Sequence, residues 1–260
     1  MEMIWHGTLA FELVRIPIRL YKATRERRLP FHLVHATDLA PIGNQRICTA
    51  EQRPVPTEEI VRALKVGDEW VVVSDEEIHH AAPRLTRTVE IRDFVDLHEI
   101  DPVLFRKPYY LAPDDGGEEM YVMLREAIRR SGKVGIAELV LLHREHVAAV
   151  MVRGEALVLE TLYYPEEIID AAELELPAET RLREGEIRMA VELIRNLSTV
   201  FEPARYRNEF RAELLDLVRR RAHGEIPEEL EAPAPARPTP VIDLSERLRQ
   251  SLERTRRRSA

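Results

Sequence analysis

The chain has 260 residues, enough for one large domain or two small ones, and its 45% hydrophobic content excludes wholesale disorder. Charged residues reach 32% with a net charge of −8, which by itself argues against a polyanionic partner unless the signs are segregated along the chain. A single cysteine, Cys48, excludes an internal disulfide framework, and no apolar run is long enough to span a membrane.

Taken in chain order, the first 165 or so residues read mostly as strands. Val14, Ile16, Ile18 and Leu20 alternate with Arg15, Pro17, Arg19 and Tyr21, the period of a half-buried strand. Further strands are predicted at Glu69–Ser74, Thr88–Leu97, Pro108–Leu111, Val134–His143, Val147–Val152 and Leu157–Leu162, separated by Gly- and Asp-rich turns. One helix, Glu118–Arg130, interrupts them with Tyr121, Leu124 and Ile128 as its apolar stripe. Many short strands at close spacing predict a barrel or sandwich. After Tyr164 the period becomes helical. Glu184–Thr199 carries Ile187, Val191, Ile194 and Leu197, and Asn208–Ala222 carries Leu214, Leu217 and Val218 ahead of Gly224. Residues 225–240 are acidic and then Pro-rich, an extended linker. Beyond them Asp243 and Glu246 form a capping pattern for a short helix with Val241, Leu244, Leu248 and Leu252 on one side, closed by Arg254, Arg256, Arg257 and Arg258.

Catalytic signatures are missing: no Walker A loop, no G-x-S-x-G elbow, no H-E-x-x-H and no paired Cys-x-x-Cys. His143 and His146 straddle a strand end and need not converge on a metal, and Cys48 lacks the neighbours of a nucleophile. The reading is therefore non-enzymatic, with no cofactor and no metal. The basic residues say more. Between Arg15 and Arg28 six bases are opposed by Glu26 alone, whereas Thr57–Asp101 carries 12 acidic against 5 basic residues and Glu155–Glu186 carries 10 against 2. Such segregation suits one surface that meets phosphate within an otherwise negative exterior. Aromatic residues do not interleave with the basic runs, which disfavours the stacking platforms of single-strand binders.

The opening Trp5-His6-Gly7-Thr8-Leu9-Ala10-Phe11-Glu12-Leu13-Val14-Arg15-Ile16-Pro17-Ile18-Arg19-Leu20-Tyr21-Lys22-Ala23-Thr24 closely resembles the first segment of bacterial Ku proteins, the DNA-end binders of non-homologous end joining. Phe31-His32-Leu33-Val34-His35, Ser74-Asp75-Glu76-Glu77, Val89–Val95, Ile100-Asp101-Pro102, Lys107–Pro113 and Leu159–Tyr164 follow in family order, and the match runs through Met189-Ala190 and Leu193-Ile194 to about Gly224. Val241-Ile242-Asp243-Leu244 through Leu252-Glu253 is similar to the segment that in this family is associated with recruiting the multifunctional ATP-dependent ligase, ligase D. Three positions depart from the family pattern. Glu12 stands where Gly is usual, Ala63-Leu64 where Gly-Tyr is usual, and the tail ends in a few arginines rather than a long Lys-rich extension.

The resemblance implies a mixed α/β, β-rich fold, with a Ku-type β-barrel core and a helical arm forming a ring-shaped homodimer around duplex DNA ends. It divides the chain into a core over 1–224 (barrel to about 165, arm about 184–222), a linker over 225–240 and a ligase-docking tail over 241–260. The expected DNA-lining residues are Arg15, Arg19, Lys22, Arg25, Arg27, Arg28, Arg46, Arg53, Arg84 and Arg87. The expected partner-binding residues are Val241, Asp243, Leu244, Leu248, Ser251 and Leu252, unless the tail helix packs back on its own domain. The start of the chain shows no signal-peptide pattern, so a cytoplasmic, nucleoid-associated protein is expected. Two other classes fit part of the pattern: a protein-interaction scaffold, and a small β-barrel that binds single-stranded nucleic acid.

Overall fold

The computed structural model describes residues 2–27, 29–81, 87–177, 183–224 and 244–259, with backbone alone at 79–81, 244–245 and 255–259. Two units are present, Met1–Glu173 and Leu174–Ala260.

In the first unit, seven strands close into a barrel: β1 (Met3–Phe11), β2 (Val14–Lys22), β5 (Thr88–Asp96), β6 (Phe105–Pro113), β7 (Lys133–Leu141), β8 (Arg144–Arg153) and β9 (Ala156–Leu162), in the order β1-β2-β6-β9-β8-β7-β5. All neighbours are antiparallel except the closing pair, where β5 runs parallel to β1 with Thr8 opposite Thr88 and Ala10 opposite Glu90. Alternation along each strand sends one face inward. Leu9, Ile16, Ile18, Leu20, Val89, Leu111, Leu139, Val150, Leu157 and Leu159 fill the interior with α2 (Glu118–Ser131), whose Tyr121, Leu124 and Ile128 belong to the same core. The Tyr121 hydroxyl donates to the Leu111 carbonyl (2.8 Å) and accepts from the Leu157 amide (2.8 Å). It thereby satisfies two groups at the edge of the β6–β9 ladder, which ends at Leu111 and Leu157. A second apolar cluster, Ile100, Val134, Ala149 and Leu162 with Leu104, Phe105 and Met151, covers part of the outer wall.

Gly7 marks the closure. A Cβ there would sit 2.4 Å from the Arg87 carbonyl oxygen and 2.4 Å from the Trp5 ring, and the next amide, of Thr8, donates to that same carbonyl at 2.8 Å. Pro17, which has no N–H to give, falls just past the end of the β2–β6 ladder; its carbonyl accepts from the Asp114 amide (2.9 Å).

The chain leaves the barrel at Lys22 and returns at Thr88, and none of the described residues of this excursion belongs to the barrel core. It holds a hairpin of β3 (Arg62–Val66) and β4 (Glu69–Val73) and the short helix α1 (Asp75–Ala81). Two loops of like build precede the hairpin. In one the Leu39 amide donates to His35 and the His35 amide to Ala40; in the other the Gln52 amide donates to Cys48 and the Cys48 amide to Arg53, with Leu39 and Gln52 both left-handed. None of the described residues of 24–78 is buried, so these backbone bonds, rather than a core, shape the segment.

The second unit contains α3 (Glu184–Leu197), α4 (Glu209–Ala222) and α5 (Leu244–Ser259). Asn208 caps α4, its side chain accepting from the Arg211 amide (2.9 Å). The stripe Ile187, Val191, Ile194 and Leu197, whose spacing suits either an arm and dimer contact or an intramolecular core, is exposed at 40–65%. Met189, Ala190 and Leu193 are half-buried instead, and α5 packs on α3. The linker over 225–240 lies outside the described residues.

Candidate nucleic-acid interface

Strand β2 positions the first basic pair as its alternation requires. Ile16, Ile18 and Leu20 are fully buried, which turns Arg15 and Arg19 to the outer face. Their roles then diverge. Arg15 is exposed beside the two-residue turn Glu12-Leu13 and has no ion-pair partner among the described residues. Arg19 instead donates to the Pro113 carbonyl (3.0 Å) and lies 3.4 Å from Asp114, tying β2 to the turn that leads into α2. Its guanidinium is thus held in a structural contact, which spacing alone does not reveal.

The remaining candidates follow the same division. Lys22 reaches Glu2 (3.4 Å), and the Arg87 guanidinium donates to Nε2 of His6 (2.9 Å). Arg53 pairs with Glu51. Arg25 and Arg46 are exposed on the excursion with no ion pair among the described residues, and Arg27 is exposed beside them. Arg28 and Arg84 lie outside the described residues. The structure adds Lys65, which sits on β3 opposite Trp70 and is exposed, and Lys107 at the start of β6, also exposed. Neither belongs to a basic run, so charge counting along the chain passes over both.

Around these cations the excursion exposes large apolar side chains: Phe31 at 69%, Leu33 at 77%, Leu64 at 66% and Trp70 at 70%. Of these only Phe31 and Trp70 are aromatic, and the hairpin carries Trp70 with Val72 on one face and Leu64 with Val71 on the other, an apolar contact surface rather than a series of base-stacking platforms. Acid lies on the excursion as well, at Glu58, Glu59, Asp68, Glu69, Asp75, Glu76 and Glu77, all exposed, and it gathers on the barrel. Glu90, Arg92, Glu138, Glu145, His146 and Tyr164 line a groove across β5, β7 and β8, where Arg92 is held by Glu90 (2.8 Å) and Glu138 (3.0 Å). Burial, with Arg106 nearby, holds His146 below the ordinary imidazole range, and burial pushes the Glu160 carboxyl up. On the excursion, the Ala40 amide and the His35 ring lower Asp38, while Ser74 lowers Glu77 through its amide and hydroxyl. Those last two bonds, with the Glu77 amide returning to Ser74 Oγ (3.1 Å), form the capping box that starts α1.

Among the described residues no cluster of three or more His, Cys, Asp or Glu side chains is placed to hold a metal ion. His143 lies in the β7–β8 turn with φ 65°, whereas His146 stands within β8 opposite Leu139. No helix of the described residues is long and apolar enough to cross a membrane.

Of the tail residues, Val241 and Asp243 lie outside the described residues and Leu244 begins α5. Leu248 and Ser251 are half-buried, and Leu252 is 8% exposed.

Comparison with known proteins gives this geometry its context. The family model for the Ku70/Ku80 β-barrel domain matches residues 10–189. The non-homologous end joining protein Ku of Opitutus terrae is 37% identical over 98% of this chain and 92% of its own length. The protein of that name from Anaeromyxobacter sp. (strain K) is 42% identical over 98% of this chain and 86% of its own, and that from Bacillus subtilis 35% identical over 99% and 83%. With the matched segment spanning most of the closed barrel and near-complete coverage by such relatives, the chain belongs to the Ku family of non-homologous end joining proteins.

Proposed function

We propose that the protein binds and encircles the ends of double-stranded DNA as a ring-shaped homodimer, without sequence preference and without catalysis, and that its tail recruits ligase D. The observation that carries the reading is the division of charge and exposure on the first unit. Arg15, Arg25 and Arg46 are exposed cations with no ion pair among the described residues, an acid-lined groove lies across β5, β7 and β8, and the excursion adds its own carboxylates at Glu58, Glu59, Asp68, Glu69, Asp75, Glu76 and Glu77, so the cations form local patches rather than a uniformly basic segment. Arginine-to-phosphate contact is indifferent to sequence, and specificity for ends follows from topology, since a closed ring is only threaded from a terminus. A two-fold dimer suits a duplex because its backbone has approximate dyads and one subunit does not surround it. Phe31, Leu33, Leu64 and Trp70 supply the surface for a second copy. Lys22, Arg27, Arg53 and Arg87 add to the lining, with Arg28 and Arg84 in the same stretches of chain. Arg19 acts chiefly as a strut. The site of action is the cytoplasm, at the nucleoid.

The test compares a linear duplex with the same DNA as a relaxed closed circle. Tight capture of the linear form, little of the circle, and weakening as salt rises are expected. Equal capture of both forms refutes the threaded ring. Deleting 241–260 is expected to abolish ligase association and leave most end binding intact; loss of dimerisation instead would make the tail an architectural element.

A further inference from the structure

The residues assigned to the ligase are the residues that α5 uses within its own unit. Leu252 is the one buried hydrophobic side chain among the described residues of 174–260, at 8% exposure, with Leu248 and Ser251 half-buried beside it. The helix α5 contains only three apolar residues, Leu244, Leu248 and Leu252, at a spacing of four, so it has a single stripe to offer. It packs on α3, where the half-buried stripe is Met189, Ala190 and Leu193. The other stripe of α3, Ile187, Val191, Ile194 and Leu197, stays exposed and leaves the outward side of that helix available.

We propose that α5 is a latch. Leu248 and Leu252 are held by Met189, Ala190 and Leu193 of α3 until a partner with its own apolar groove, the ligase under the reading above on which this inference rests, takes them over. The two engagements exclude one another, because one row of leucines does not cover two grooves. The latch is reversible because the contact is thin: Leu248 and Leu252 are its described apolar side chains on an otherwise polar helix. Its affinity for a partner is then reduced by the fraction of time the stripe is free, so a latch open about 1–10% of the time weakens ligase binding about 10- to 100-fold.

The experiment uses the full chain and two readouts. Amide hydrogen exchange over 244–259 is measured in the wild type and in Leu193→Asp, with Met189→Gln as a milder second variant, and ligase D binding is measured on the same samples and on Leu252→Asp. Exchange at least tenfold faster over α5 in the α3 variants, with ligase affinity raised by a similar factor, supports the latch; Leu252→Asp loses both engagements. Unchanged exchange in both α3 variants overturns the latch whatever the ligase does. Faster exchange without tighter ligase binding overturns the competition. Ligase binding by Leu252→Asp equal to wild type refutes the ligase reading itself, a failure distinct from the exchange result.

Discussion

Replacing Glu12 by glycine is expected to stabilise the barrel. Glu12 is the first residue of the two-residue turn between Phe11 and Val14 and has φ 49°, in the left-handed region. Two other hairpins of the chain place glycine at the same position, Gly67 at φ 61° between Val66 and Glu69 and Gly154 at φ 57° between Arg153 and Ala156. An L-residue pays about 1–2 kcal/mol for that conformation, and glycine gives back roughly 0.5–1 kcal/mol through its freer unfolded chain. The net gain is then about 0.5–1 kcal/mol, a rise in Tm of roughly 1–4 °C for a unit of this size. The substitution also removes a carboxylate near Arg15, which strengthens DNA binding at low salt. Glu12→Gln separates the two effects, since it drops the charge and keeps the Cβ. Thermal unfolding and duplex binding at two salt concentrations check both. Glu12→Gly no more stable than Glu12→Gln refutes the turn-strain explanation.

Tyr121→Phe strands the buried Leu111 carbonyl and Leu157 amide and is expected to cost about 1–3 kcal/mol in a denaturant titration, with α2 otherwise in place. Arg15→Gln and Arg46→Gln are each expected to reduce the slope of log affinity against log salt by about 0.9, while unfolding is unchanged. Arg19→Gln reverses that pattern, lowering stability through loss of the Pro113 contact and moving the salt slope less. His146 is held neutral by burial, so the folded state takes up its proton at lower pH than the unfolded state does. Stability is therefore lost as pH falls below the ordinary value of 6.5, and His146→Gln flattens that part of the stability–pH curve.

How much of this the sequence makes legible depends on whether burial leaves a period. Strand β2 and helix α2 are read correctly because Ile16, Ile18 and Leu20, and Tyr121, Leu124 and Ile128, are buried at the spacing of their element. Strand β1 is obscured by Gly7, which is there for close approach to Arg87 rather than for strand formation. Strand β3 is exposed at every residue, so it writes no alternation at all. Helix α1 is too short for a helical period, and its one signal is the Ser74–Glu77 capping box at the end of a run read as strand. The interface is legible as a cluster of charge but not as a set of free cations. Asp114, which holds Arg19, and His6, which holds Arg87, are distant in sequence from the side chains they engage and become partners only when the barrel closes.

The excursion between β2 and β5 gives the homodimer proposal its strongest physical requirement. A segment with Phe31, Leu33, Leu64 and Trp70 each about two-thirds exposed or more has no apolar reason to hold one shape as a monomer; among its described residues, backbone bonds, the Ser74–Glu77 capping box and exposed pairs such as Arg62–Asp75 are what order it. Covering those side chains by a second copy supplies the missing burial and at the same time fixes Arg25 and Arg46 relative to the barrel. End binding and dimerisation are then one equilibrium, and both depend on protein concentration. Trp70→Ser removes apolar area and leaves Arg15, Arg25 and Arg46 in place, with its cross-strand neighbour Lys65 retained. It is expected to raise the dimer dissociation constant in sedimentation analysis and to weaken end binding at low protein concentration, with recovery at high concentration and an unchanged salt slope. A loss of end binding that no protein concentration restores would place Trp70 in direct contact with DNA and remove the excursion from the dimer interface.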